Sequence, residues 1–169
     1  MKHLVLTALL IIGSLSISVA QKYAFIDVQY ILKEMPEYTQ AQKQLDDLAE
    51  KFQNEIKTAY AAIDKKISAL KQEEILLPAE TKKQREAEIG EMQQEVQKLQ
   101  QQKFGPNGDL FAKRKEMIEP IQNKIYKAVK DMSDDKGYDF VLDKGANSNI
   151  LFVDPKYDKS DYIISQLKK

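Results

Sequence analysis

The chain of 169 residues sets 26 Lys and Arg against 26 Asp and Glu, and it contains one His and no Cys or Trp. Without Cys there is no disulfide support and no thiolate ligand or nucleophile. The one imidazole, His3, lies at the extreme N-terminus, so Ser-His and Cys-His catalysis and soft-metal centres are excluded from the rest of the chain. A net charge of zero leaves no basic footprint for nucleic acid, while a charged fraction of 31% suits solvated helices.

Residues 1–20 read as a secretory signal. Lys2 and His3 give a charged start, Leu4 to Ile12 an apolar centre, and Ser18-Val19-Ala20 small residues at both cleavage-determining positions. Cleavage is expected after Ala20. Its removal leaves 149 residues and a charge of 25 − 26 = −1. Tyr23-Ala24-Phe25-Ile26-Asp27-Val28 is apolar, β-branched and aromatic, as in a strand buried on both faces. Alternatively, Asp27 caps a short helical turn through Val28, Tyr30, Ile31 and Leu32. Met35 should be extended before Pro36, which is placed to open a helix.

From Pro36 to Met132 the sequence predicts two long helical runs folded back on each other near Leu77-Pro78. Leu45, Leu48, Phe52, Ile56, Ala59, Ile63, Ile67 and Leu70 keep one helix side apolar at spacings of 3 and 4, with an eleven-residue repeat. That repeat suits a nearly straight or faintly right-handed pair. The stripe is narrow, wide enough for one partner helix. Pro78 can open the return run, where Ile89, Met92, Val96 and Leu99 continue the pattern. Each arm should reach about 60 Å, well beyond the roughly 30–35 Å width of a single domain of this size. The hairpin therefore projects from something else.

Gly105-Pro106-Asn107-Gly108 interrupts the return run. Paired symmetrically about the tip, this break faces Ala49 to Phe52. It reads as an accommodated kink or as a hinge built on Gly105, Pro106 and Gly108. Asp109 can cap the helix that follows and pair with Lys113. Periodicity then resumes from Leu110 to Met132, with Pro120 expected to kink it and Gly137 to stop it. Tyr138–Asp143 and Ile150–Val153, joined by a turn-rich Lys144 to Asn149, are expected to form a β-hairpin with Tyr138, Phe140 and Leu142 on one face. Ser160 can cap a last helix bearing Ile163, Ile164 and Leu167.

The expected class is thus α+β, a long antiparallel helical hairpin (36–132) projecting from a small β-body made of 21–35 and 133–169. Three short strands leave open edges and a thin core. Closing a shared sheet between identical subunits is the simplest remedy, with Phe25, Phe140, Leu142 and Phe152 as the proposed oligomer core.

The order of signal, strand, long hairpin, Lys136-Gly137-Tyr138-Asp139-Phe140-Val141-Leu142-Asp143 and Ile150–Val153 before a C-terminal helix resembles the Skp/OmpH family of periplasmic chaperones. The Lys-Gly-Tyr-Asp segment, with Ala-x-x-x-x-Ile-Leu-Phe-Val-Asp (146–154) after it, is the most specific part. The resemblance implies a periplasmic homotrimer with three helical tentacles around a cavity. Its implied work is holding unfolded outer-membrane and other envelope proteins without ATP or cofactor. The chain departs from well-known basic members in its arm, where residues 37–119 carry 14 Lys and Arg against 16 Asp and Glu, a net of −2. The Gly-Pro-Asn-Gly break is a second departure.

Such a chaperone needs many weak contacts and no catalytic constellation. Tyr38, Tyr60, Leu76, Leu77 and Phe104 are the candidate client contacts, although aromatic residues at helical spacing more commonly pack. Lys82, Lys83 and Arg85 near the tip read as a solvated face or a weak contact with membrane surfaces. Asp131, Asp134, Asp135 and Asp139 follow no EF-hand pattern, and no metal, cofactor or nucleic acid is expected. A structural coiled-coil scaffold that bridges folded envelope proteins is the competing reading.

Overall fold

The structure is a computed structural model and describes residues 21–145 and 150–168. The expected signal and its cleavage point after Ala20 lie outside the described residues, as do residues 146–149 of the expected turn. Strand β1 (Tyr23–Ile26) leads into helix α1 (Val28–Lys33) and the long α2 (Pro36–Glu73). The return comprises α3 (Ala79–Phe104) and α4 (Asp109–Lys136). Strand β2 (Phe140–Asp143), a 3₁₀ turn (Pro155–Tyr157) and α5 (Ser160–Leu167) complete the body.

The first apolar run is a strand only as far as Ile26 and is buried on one face, not both, with Tyr23 exposed and Phe25 half-buried. The alternative helical turn follows it, and the Asp27 carboxylate accepts the Tyr30 N–H at 2.9 Å to cap α1. Met35 is extended (φ −95°, ψ 116°) and Pro36 opens α2. At 38 residues α2 runs about 57 Å. Its Ile63 packs with Ile89 and Val96 of α3 in a narrow core that also receives Ile56, Ile67 and Met92.

A second core lies in the body. Ile31, Met35, Ala41, Ile121, Ile125, Met132 and Ile163 are buried together there. Full burial of Ile31 and Ile163 stabilises the fold by about 1.5–3 kcal/mol each. Pro120 removes one ladder bond from α4 without ending it. Gly137 (φ 67°) closes α4, and its N–H and that of Tyr138 both donate to the Ser133 carbonyl, which turns the chain into β2.

The expected β-hairpin does not form. β2 instead pairs in parallel with β1, Tyr23 opposite Phe140 and Phe25 opposite Leu142. Ile150–Val153 carries no strand. A parallel pair needs a long crossover, and here the whole arm supplies it. The chain after residue 153 goes to the other edge of β1, where Asp158 bridges Phe25 and the Lys159 N–H donates to the Phe25 carbonyl at 2.8 Å. β1 is therefore central. Among the described residues, the outer edge of β2 has no partner strand.

Candidate functional site

Parallel pairing gives the small sheet two chemically distinct faces. Ala24 and Ile26 are buried toward the helices. On the other face Tyr23, Phe25, Phe140 and Leu142 stand side by side, since partners in register point the same way. Phe140 remains 55% exposed and Leu142 45%. Leu151 and Phe152, on the unpaired segment, are almost wholly exposed. Of the four residues expected in the oligomer core, Phe25 is half-buried and packs edge-on against Tyr23 at 6.0 Å, while the other three face solvent.

Tyr157 is a neighbour of this face that sequence reasoning missed, its ring 5.1 Å from that of Tyr23. The two phenol groups share a hydrogen bond, which raises the Tyr23 pKa. Ser160 is the first residue of α5. It joins the sheet to that helix, accepting the Asp27 N–H at 2.8 Å and donating to Asp158 at 2.7 Å. Burial alone would raise the Asp158 pKa, but hydrogen bonds from Lys144 and Ser160 outweigh it and hold the carboxyl below its ordinary value. Lys144 pairs with Asp158 at 2.7 Å, and this hydrogen bond raises the lysine's pKa.

At the tip, Ile75 and Leu76 project into solvent and Leu77 is half-buried. Two of the three nearby cations are neutralised there: Lys82 pairs with Glu74 and Arg85 with Glu73, each at 2.6 Å. Farther down the arm Tyr60 is exposed, whereas Tyr38 packs against the body core.

Phe104 meets Phe52 edge-on at 6.0 Å beside the break. The break itself is tightly built. The Gly105 N–H donates to Gln101 at 2.8 Å and the Gly108 N–H to Gly105 at 2.9 Å. Gly108, not Asp109, occupies the cap position of α4. The expected Asp109–Lys113 pair is replaced: the compact turn brings Asp109 back to Lys103 at 2.6 Å, and Lys113 pairs with Glu116. The Lys103 ammonium also lies 4.7 Å from the centroid of the Phe52 ring. Its hydrogen bond to Asp109 raises its pKa.

Three of the four aspartates around Gly137 are engaged with neighbouring groups. Asp131 pairs with Lys127, Asp134 with Lys130, and Asp139 accepts the Lys22 N–H. Among the described residues no group of His, Cys, Asp and Glu is arranged to hold a metal, and no helix is long and apolar enough to cross a membrane.

The family model for outer membrane proteins of the OmpH-like type matches residues 22–167, from the first strand to the last helix. The chain belongs to the OmpH-like family. A solved OmpH-like structure from Caulobacter crescentus, described as a candidate outer membrane chaperone, has the same fold. Its TM-score is 0.70 at 11% identity, and the match covers 88% of this chain and 85% of that one. No curated protein matches the sequence. An OmpH-like α+β fold therefore frames the residues above.

Proposed function

We propose that this OmpH-like protein is an ATP-independent periplasmic chaperone that holds unfolded outer-membrane proteins between helical arms. Self-association through the sheet face would assemble those arms, with three copies as the number the family suggests. The observation that carries the reading is the pairing of family membership with an apolar sheet face on which Tyr23, Phe140 and Leu142 stay exposed, with Leu151 and Phe152 exposed as well. A chain that exposes this many large apolar side chains is suited to partners. Holding requires surface and cavity, so the proposal includes no catalysis and no cofactor. Weak contact with membranes would rest on Ile75, Leu76 and Lys83, because Lys82 and Arg85 are already paired.

Native mass spectrometry of the exported protein, alone and after dilution of a urea-unfolded barrel protein into it, tests the proposal. Light scattering follows client aggregation in parallel. A homotrimer that takes up one client and suppresses scattering is the expected result. A trimer that ignores unfolded clients and captures one folded envelope protein would instead establish a scaffold.

A further inference from the structure

A groove of about 620 Å³ lies at the root of the arm, where α1, α2 and α4 converge. We propose that it binds an extended segment of an unfolded chain in which an aromatic side chain neighbours Asp or Glu. The inference rests on the holding function and gives that function a preferred segment.

Three features of the groove lead there. Leu32, Tyr38 and Ile118 give it apolar walls, and Phe111 is half exposed beside them. That is a seat for an aromatic side chain. Gln29, Gln42, Gln122 and Asn123 also line it. Carboxamides donate and accept at once, which matches the unpaired N–H and C=O groups of an extended backbone. On α4 the lining runs from Phe111 to Asn123. That is about 18 Å of helix, or about five extended residues.

Charge then selects among peptides. The sequence has two arginines. Arg85 is bound by Glu73 near the tip, whereas Arg114 has no ion pair among the described residues, and neither has Lys115. Both line the groove, with Glu119 as the one acid in the lining, so the site is net positive on an arm that is net negative. A guanidinium free to take a carboxylate in two parallel hydrogen bonds favours Asp or Glu over an amide of the same shape.

The test uses the purified protein and two blocked, fluorescein-labelled ten-residue peptides, read by anisotropy. One carries two aromatic residues flanked by aspartates; the other has asparagines in their place. The acidic peptide should bind about tenfold tighter, the scale of one charge-assisted contact. Arg114→Gln with Lys115→Gln should abolish that preference and leave the amide peptide unaffected. Phe111→Ala should weaken both peptides about threefold or more. Equal affinities for the two peptides would overturn the proposal. So would a change in the native mass of the double variant, since the groove would then be a contact between subunits. Suppression of barrel-protein aggregation is measured on the same samples. Suppression without peptide preference overturns the groove and leaves the holding function. Charge-dependent peptide binding without suppression overturns the holding function and leaves the groove.

Discussion

At Gly105 a side chain would collide with the carbonyl oxygen of Gln101, and at Gly108 a β-carbon would come within 2.6 Å of the Gln102 carbonyl oxygen. Both obstacles are backbone and cannot rotate away. Gly105→Ala and Gly108→Ala should each lower stability by about 1–3 kcal/mol, read as a lower urea midpoint. At Asp158 the sign of a pH effect follows from its depressed pKa. The contribution of a carboxyl held below its unfolded value of about 3.9 is present above that value and is lost as pH falls through the lower folded value. Asp158→Asn should therefore cost on the order of 1 kcal/mol at neutral pH. The gap in melting temperature from the parent should close as pH is taken below about 4. A gap independent of pH would show that the Asp158–Lys144 pair does not contribute in this way. Lys103 shows what local spacing rules miss: Asp109 and Lys113 are four apart on one helix, yet Asp109 turns back to a lysine across the break. Helical spacing predicts pairs within an element, and the turn decided this one.

At the level of elements, the α+β class and the long hairpin were legible because apolar residues repeat at helical spacing over many turns. The sheet was not. Tyr23 and Phe140 are paired across 117 residues, and no local pattern announces a partner so distant. Ile150–Val153 has the composition of a strand but no partner strand among the described residues. Composition says which residues tolerate a strand, and pairing decides whether one exists. The two faces of β1 and β2 became visible only with the parallel register. The proposed oligomer core can be tested on that face. Phe140→Asp combined with Phe152→Asp should leave the helical circular-dichroism signal intact, since both rings are exposed in the single chain. It should convert the assembly to monomers on sedimentation, because each charge would enter an apolar contact. An unchanged sedimentation coefficient would remove this face from the interface.

In the whole molecule, the outward helix α2 is continuous whereas the return is divided at 105–108 into α3 and α4. The two apolar cores follow the same division. One belongs to the body and root, with Ala41, Ile121 and Ile125; the other belongs to the distal arm, with Ile63, Ile89 and Val96. Phe52, Lys103, Phe104 and Asp109 occupy the joint between them. We propose that any bending of the arm is concentrated here. The glycines and proline marked this place in the sequence; the packing of Lys103 against Phe52 carried no sequence signal, because an isolated lysine in a polar helix looks solvated.

The parallel pairing of β1 with β2 also sets an order of construction. The hairpin can close once residue 104 has been made, since its two sides are neighbours in sequence. The sheet must wait for residue 143, because among the described residues β2 is the one strand that pairs with β1. The body is thus sewn from the two ends of the folded region, and its outward apolar face exists only on a chain that has been completed through β2. A chain that ends before β2 lacks the surface proposed for joining other copies. On the proposal that copies join through this face, only a chain made through β2 can join.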